Sequence, residues 1–426
     1  MTSKGRYDEA YVWVWLPQET KPVVAGLLTQ VGKSLQFNYG QSYLKRENAI
    51  SIYEPELPLQ AGDIPLLEGL SMPGCIRDAS PDAWGRRVLI NRLLGPVGLD
   101  GSGAELDEMT YLLESGSDRI GALDFQMSAT EYVARGSDQA SLEELMQSAE
   151  RVEKGIPLQA DLDKALRHGS SIGGARPKAL IHGEDKRLIA KFSTSNDLYS
   201  VVKAEFVAMR LARLAGLHVA SVELVRALGK DVLLIERFDR ERTSQGWLRK
   251  PMVSALTLFG FDEMMAMYAS YQDLAEIIRH RFADPVETLR ELYGRMVFNI
   301  LCGNTDDHAR NHAAFWDGTS LSLTPAYDIC PQPRTGNEAS QAMLIDGNNR
   351  MSQLAVCLNA APNFLLDGDE AKRMIEGLVE AIREHWGEVC EEAELTEVDR
   401  GFFWGRQFLN PSVFYGAGID GHSLGG

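Results

Sequence analysis

The sequence predicts an α+β protein in which a β-rich N-terminal part and a small mixed part precede a mostly helical C-terminal part. Three observations carry this. Short runs of strand formers recur through the first hundred residues. A glycine-rich loop, two strands and a helix follow one another between residues 169 and 216. From Thr257 onward apolar residues recur at helical spacing, most clearly from Asp369 to Glu392, where Met374, Ile375, Leu378, Val379, Ile382, Trp386 and Val389 share one face. The expected divisions are 1–100, 101–245 and 246–426.

Tyr11 to Leu16 is a run of strand formers, Pro17 to Pro22 is turn-like, and Val23 to Leu28 can pair back antiparallel. Leu35 to Tyr39 and Ile50 to Tyr53 alternate at period two. A helix is expected over Asp82 to Ile90, and Gly95-Pro96 with the polar run Asp100 to Gly103 reads as a boundary. Ser141 to Lys154 predicts an acidic helix whose Ser141 and Glu144 form a capping box. Gly169 to Lys178 is a glycine-rich loop. Ala179 to Ile181 and Arg187 to Phe192 are strands joined by the turn His182 to Asp185. Ser200 to Gly216 is a helix that Gly216 ends, and Asp231 to Phe238 is extended again.

Composition excludes several classes. The hydrophobic content of 44% is that of an ordinary globular chain. No stretch approaches the ~20 apolar residues of a membrane span, and the first residues carry no apolar signal core. The five cysteines form no C-x-x-C pair, which favours a reducing cytoplasm over a disulfide or zinc framework. With 60 acidic and 43 basic residues the net charge is −17, so nucleic acid repels the chain overall.

The chemistry concentrates in Asn304-Thr305-Asp306-Asp307-His308-Ala309-Arg310-Asn311. Asp306 and Asn311 are five positions apart, the interval at which a phosphoryl-transfer loop places a proton-accepting Asp and a magnesium-binding Asn. Asp328 follows in Pro325-Ala326-Tyr327-Asp328, past a hairpin expected over Ala314 to Thr319, and can add a second oxygen ligand. The competing readings are an acidic helix end with a turn, and metal hydrolysis by His308 and His312 at i, i+4. The second lacks the Glu that follows the first His of a metalloprotease helix, since Ala309 stands there. Lys191 ends a short strand ahead of a helix containing Glu205, and such a Lys–Glu pair can hold a lysine against phosphates; a solvated strand lysine is the alternative. Gly173 and Gly174 with Lys178 could cradle phosphates. No Walker A pattern is present. Glu236 to Arg240 ends an apolar strand whose backbone could meet an adenine edge, with Phe238 on the ring face; otherwise it is a charged strand end leaving for solvent.

Together these segments resemble the HipA family of serine/threonine kinases, the toxins of HipA/HipB toxin–antitoxin pairs. Asp78-Ala79-Ser80-Pro81-Asp82-Ala83-Trp84-Gly85-Arg86 is similar to the family's N-terminal signature, Ser171 to Lys178 to its glycine loop, Ile235 to Arg240 to its hinge, and Asn304 to Asn311 with Pro325 to Asp328 to its catalytic and metal segments. The resemblance covers nearly the whole chain. It implies a protein-kinase-like fold of two lobes with ATP in the cleft between them, Asp306 as catalytic base, His308 near the phosphates, and magnesium on Asn311 and Asp328. It further implies Lys191 on the ATP phosphates, the backbone of Glu236 and Phe238 on adenine, and Ser171 as an inhibitory autophosphorylation site, with Ser170 a neighbouring competitor. A phosphate of charge about −1.5 to −2 in an ATP-phosphate site would repel its ligand. One departure is Arg176-Pro177, where well-known members carry Gln-Glu; Pro177 stiffens the loop. The resemblance implies a HipB-like helix-turn-helix antitoxin as partner, DNA contact mainly through it, and a protein substrate such as an aminoacyl-tRNA synthetase. Two rivals are a small-molecule phosphotransferase on the same scaffold and a catalytically silent corepressor scaffold.

Overall fold

The computed structural model describes residues 7–95, 106–136, 140–156, 176–194, 197, 199–334 and 336–419. The expected boundary near residue 100 and the loop residues Ser170, Ser171, Gly173 and Gly174 lie outside the described residues. The chain forms two compact units: Met1–Ser195 with Val225–Val253 and Phe315–Thr319, and Asn196–Leu224 with Ser254–Ala314 and Ser320–Gly426. The first unit takes in most of both N-terminal divisions expected from sequence.

In the first unit, β1 (Glu9–Val14), β2 (Val23–Val31), β3 (Ser34–Tyr39) and β4 (Leu123–Gln126) form an antiparallel sheet in the order β3-β2-β1-β4. On β3 the alternation seen in the sequence buries Leu35, Phe37 and Tyr39. Gly26 on β2 is required by close approach, since a Cβ there would lie 2.1 Å from the Asn38 carbonyl. The expected strand over Ile50 to Tyr53 does not form. Its backbone is satisfied by side chains instead: Ile52 N–H donates to the Tyr39 hydroxyl (2.8 Å), the Tyr43 hydroxyl to Ile50 O (2.7 Å), and Trp316 Nε1 to Ser51 O (2.9 Å).

A second sheet comprises β5 (Lys178–His182), β6 (Arg187–Phe192), β7 (Val222–Ala227) and β8 (Lys230–Glu236), in the order β5-β6-β8-β7. The helices Ala83–Leu94 and Leu142–Glu153 supply Trp84, Val88, Leu145, Met146 and Val152 to a core with Ala179, Ala190, Phe192 and Val232. The Trp84 indole also donates to Lys178 O at 3.0 Å. The capping box of the second helix closes as its sequence predicts, with Glu144 N–H on Ser141 Oγ (3.2 Å) and Ser141 N–H on Glu144 Oε2 (2.8 Å).

Between the two sheets lies a buried ionic network that hydropathy alone does not reveal. Asp118 receives Arg237 (3.0 Å), Arg240 (2.8 Å) and His182 Nε2 (2.9 Å). Asp239 bonds Arg237 (2.8 Å), Arg240 (2.9 Å) and the Gly121 N–H (2.8 Å). Arg119 pairs with Asp124 at 3.0 Å, and Arg135 joins the same carboxylate at 2.9 Å. Desolvation would raise the Asp118 pKa, but Arg237 and Arg240 outweigh it and hold the carboxyl well below the usual range. Desolvation pulls both arginines down. For Arg237 the two carboxylates reverse that, whereas Arg240, next to Arg237, is left at about 10 and stays charged at neutral pH. Breaking such a pair strands a buried charge, which decides the magnitude.

The second unit is mainly helical. The helix Pro285–Leu301 is buried on nearly every side and packs against Tyr271–Arg281 and the long helix Gly368–Glu392. Gly294 lets it approach closely, since a Cβ there would sit 2.8 Å from Leu217 Cδ2. The long helix buries Ile375, Leu378, Val379, Ile382 and Val389, as its periodicity predicts. It also packs on Val201–Leu214, to which the bidentate pair Arg210–Glu392 (2.7 and 2.9 Å) adds. Among the described residues no helix is long and apolar enough to cross a membrane.

Asp118→Asn should lower the unfolding free energy by about 3–5 kcal/mol in chemical denaturation. Glu241→Gln, at the exposed Lys250–Glu241 pair (3.1 Å), should cost under about 1 kcal/mol. The depressed pKa of Asp118 has a sign. Its stabilisation is complete above the unfolded aspartate value of about 4 and is lost as pH falls through the folded value. Acid titrations of stability should therefore be steeper below about pH 4 for the wild type than for Asp118→Asn.

Candidate functional site

The site is built where the central helix of the second unit ends. Helix Pro285–Leu301 is capped by Cys302, and Gly303 turns the chain with φ +70°, a Cβ there meeting Gln407 O at 2.8 Å. Asn304 then ties the turn together. Its N–H donates to Asn299 O (2.8 Å), its Nδ2 to Asn299 Oδ1 (3.0 Å), and it makes a long 3.5 Å contact to Asp328 O.

The two adjacent aspartates have opposite environments. Asp307 is 2% exposed, and its carboxylate accepts from the Tyr271 hydroxyl and pairs with His312 Nε2 at 2.9 Å. Burial, and then the Asp307 charge, hold the Tyr271 pKa well above its usual value, so the hydroxyl keeps the proton it donates. Asp306, by contrast, is exposed. Asp307 is therefore a structural pin, and Asp306 is the carboxylate offered outward.

The Asp306 pKa is raised: partial desolvation pushes it up, His308 opposes this, and the negative charges of Asp328 and Asp307 add to it. Asp328 is thus near enough to act on Asp306 through space. Asn311 lies at the end of a short 3₁₀ turn, Ala309–Asn311, and its Nδ2 donates to Asp306 O at 3.2 Å. Asp328 has φ +58°, a left-handed conformation that Asp tolerates better than most residues at a cost of ~1–3 kcal/mol. The chain returns to the loop through the hairpin expected from sequence, seen as strands Ala313–Trp316 and Leu321–Leu323 with Gly318 at φ +102°. The Tyr327 hydroxyl donates to Arg310 O at 2.7 Å and fixes the approach.

This donor set suits a hard cation. An amide oxygen and a carboxylate, completed by water, are what magnesium accepts. Asn304 Oδ1 and His308 Nδ1 are buried with no hydrogen-bond partner among the described residues. No group of three or more His, Cys, Asp or Glu among the described residues is arranged to hold a metal. His312 Nε2 faces Asp307, so the i, i+4 histidine pair gains no support as a zinc site.

The remaining candidate residues divide between the units. Lys191, 8% exposed, and Lys178, 3% exposed, are direct register partners on β6 and β5. They project from the same face of the sheet, where two adjacent cations suit a polyphosphate. Glu236 ends β8 with its carboxylate on Lys186 Nζ at 2.7 Å. The Phe238 ring packs edge-on against Phe315 with centroids 6.0 Å apart. Glu205 is buried in helix Val201–Leu214 of the second unit. Sequence reasoning assigned no role to Tyr271, 36 positions before Asp307; a lone tyrosine at a helix start carries no pattern that could reveal it.

Two family comparisons divide the chain. The HipA N-terminal domain matches residues 14–126, and the HipA-like C-terminal domain matches residues 170–386. The chain is 26% identical over 183 residues to the serine/threonine-protein kinase toxin HipA of Shewanella oneidensis, covering 37% of this chain and 42% of that protein. It is 29% identical over 179 residues to Y4mE of Sinorhizobium fredii, covering 37% of this chain and 41% of that protein. These alignments thus span about two fifths of the relatives' lengths. Among solved structures, the Shewanella oneidensis MR-1 complex of HipA, HipB and operator DNA contains a chain that matches at TM-score 0.66 and 20% identity, covering 92% of this chain and 93% of that one. The fold is accordingly the α+β, kinase-like fold of HipA.

Tyr271→Phe removes the donor to Asp307 and leaves a buried carboxylate short of one bond. Chemical denaturation should show a loss of about 1–3 kcal/mol.

Proposed function

This chain belongs to the HipA family, and from that premise we propose that it is an ATP- and magnesium-dependent serine/threonine protein kinase that acts as the toxin of a toxin–antitoxin pair. The observation that carries the reading is the arrangement at the helix end: Asp306 exposed, Asn311 bonded to its backbone, and Asp328 close enough to raise its pKa.

In this reading Asp306 accepts the proton of the substrate hydroxyl while the hydroxyl oxygen attacks the terminal phosphorus of ATP and the bond from that phosphorus to the bridging oxygen breaks, releasing ADP. A raised pKa makes the carboxylate a better acceptor. Asp307, held by Tyr271 and His312, fixes the loop so that Asp306 need not reorganise. Asn311 and Asp328 would hold magnesium, which when bound neutralises charge on the phosphate oxygens. His308 lies beside Asp306 and lowers its pKa, which suits a group facing phosphates. Lys191 and Lys178 would bind phosphate oxygens, Glu205 would orient Lys191, Gly173 and Gly174 would cover the phosphates, and the backbone of Glu236 and Phe238 would meet adenine. Ser171 would be the site of self-inactivating autophosphorylation.

The partner would be a HipB-like helix-turn-helix antitoxin, since the Shewanella HipA chain was solved with HipB and operator DNA. An acidic chain of net charge −17 fits DNA contact made through that partner. The substrate would be a protein of translation, such as an aminoacyl-tRNA synthetase, and the cytoplasm would be the compartment.

Asp306→Gln should cut transfer of label from γ-labelled ATP, onto itself and onto lysate proteins, by about 10²- to 10⁴-fold, and should abolish growth arrest. Its melting temperature should stay near that of the wild type, because the side chain is exposed. Undiminished labelling by Asp306→Gln would reject the assignment. Label confined to small metabolites would move the function to a small-molecule phosphotransferase. Growth arrest that persists without phosphoryl transfer would favour a corepressor scaffold.

A further inference from the structure

The N-terminal signature Asp78 to Arg86 takes no part in the phosphoryl-transfer chemistry, and its two largest side chains serve different neighbours. Arg86 ties the segment to itself. Its guanidinium donates to both oxygens of Glu108 (2.6 and 2.7 Å) and to Pro81 O (2.9 Å), and lies 4.4 Å from the centroid of the Tyr111 ring. Further along, Arg92 donates to Glu114 Oε2 at 2.9 Å. Helix Ala83–Leu94 is thereby fastened to helix Glu108–Glu114 near both ends. Trp84 instead joins the core of the second sheet. It is 1% exposed, and its indole N–H donates to Lys178 O at 3.0 Å.

The ladder explains why that carbonyl is open to the indole. Phe192 N–H donates to Pro177 O at 3.0 Å, so Pro177 and Phe192 are a hydrogen-bonded pair. The next pair, Lys178 and Lys191, is then a non-hydrogen-bonded one. Strand β5 lies at the edge of its sheet, so the Lys178 carbonyl points off the sheet, and the Trp84 indole satisfies it. In a pair of this kind the Cα atoms are at the shorter antiparallel spacing, about 4.5 Å, with the side chains close together. Like charges directly opposite one another repel. Lys178 and Lys191 are both buried, so their meeting depends on how firmly the first residue of an edge strand is held.

Resting on the kinase reading above, we infer that Trp84 is a positioning residue for phosphate binding. Its indole holds Lys178 in place against Lys191, so that the two ammonium groups meet the ATP phosphates as one site. Trp84 acts through Lys178 and touches no reacting atom. The helix that carries it, fastened through Arg86 and Arg92, makes the N-terminal segment a determinant of nucleotide affinity.

The test uses the full chain. It measures equilibrium binding of ATP with magnesium, and of adenosine, which carries no phosphate, alongside initial rates of label transfer. Trp84→Phe keeps a ring and loses the N–H. It should weaken ATP binding about fivefold, the worth of roughly one neutral hydrogen bond, leave adenosine binding unchanged, and reach the wild-type rate at saturating ATP. In a Lys178→Met background Trp84→Phe should weaken ATP binding no further, because the two residues act as one unit. Val88→Ala, in the same core but with no polar atom in its side chain, should lower the melting temperature and leave ATP binding unchanged. Trp84→3-benzothienylalanine replaces the N–H by sulfur at nearly constant shape, and supplies the same readings if the Phe variant does not fold. Unchanged ATP binding in the Trp84 variants, a loss shared equally by adenosine, or an equal loss in Val88→Ala would overturn the positioning role and leave the kinase reading intact. A loss that adds in full to that of Lys178→Met would overturn it too. A wild type that binds no ATP would remove both readings together.

Discussion

A single buried carboxylate organises the candidate site. Asp307 is clasped by a tyrosine from the start of one helix and a histidine from the far end of its own loop. Buried charge is tolerated only when it is well satisfied, so the requirement to satisfy Asp307 draws three pieces of chain together. Asp307 is pinned inward, while its neighbour Asp306 faces outward. The Asn311 bond to the Asp306 carbonyl and the left-handed backbone at Asp328 are then local solutions that complete the same corner.

Much of this was legible in the residues themselves, and the reasons are physical. Period-two alternation gave β3, helical periodicity gave Gly368–Glu392, and the Ser141/Glu144 pair gave a capping box, because each reports local geometry. The five-residue interval of Asp306 and Asn311 fits the short 3₁₀ turn that joins them. Alternation misled at Ile50 to Tyr53, where tyrosine hydroxyls and an indole replaced ladder bonds. Tyr271 and the ionic cluster around Asp118 stayed hidden because their partners are distant in sequence, 119 positions for Asp118 and Arg237. No local pattern encodes such a meeting. The glycine loop around Ser171 lies outside the described residues and remains a reading of sequence alone.

The paired lysines on β5 and β6 show how a sheet can concentrate charge without a loop. Register alone sets Lys178 opposite Lys191, and a shift of one residue would send each to a different face. The hydrophobic core behind them, with Ala179 and Ala190 directly opposed, fixes that register. Packing on one face of the sheet thereby determines the electrostatics of the other.

The buried arginines carry a consequence for modularity. Family boundaries separate residues 14–126 from residues 170–386 as if they were interchangeable parts. Asp118 and Arg119 belong to the first segment and Arg237, Asp239 and Arg240 to the second, yet all share one desolvated lattice of charge. Severing the chain between the segments would expose the apolar contact of Trp84 and Val88 with Ala179 and Phe192, and it would also leave guanidinium groups without their counter-ions. Within this chain the two segments are thus bound by charge as well as by packing, and the folding of the second depends on a carboxylate that the first supplies at Asp118.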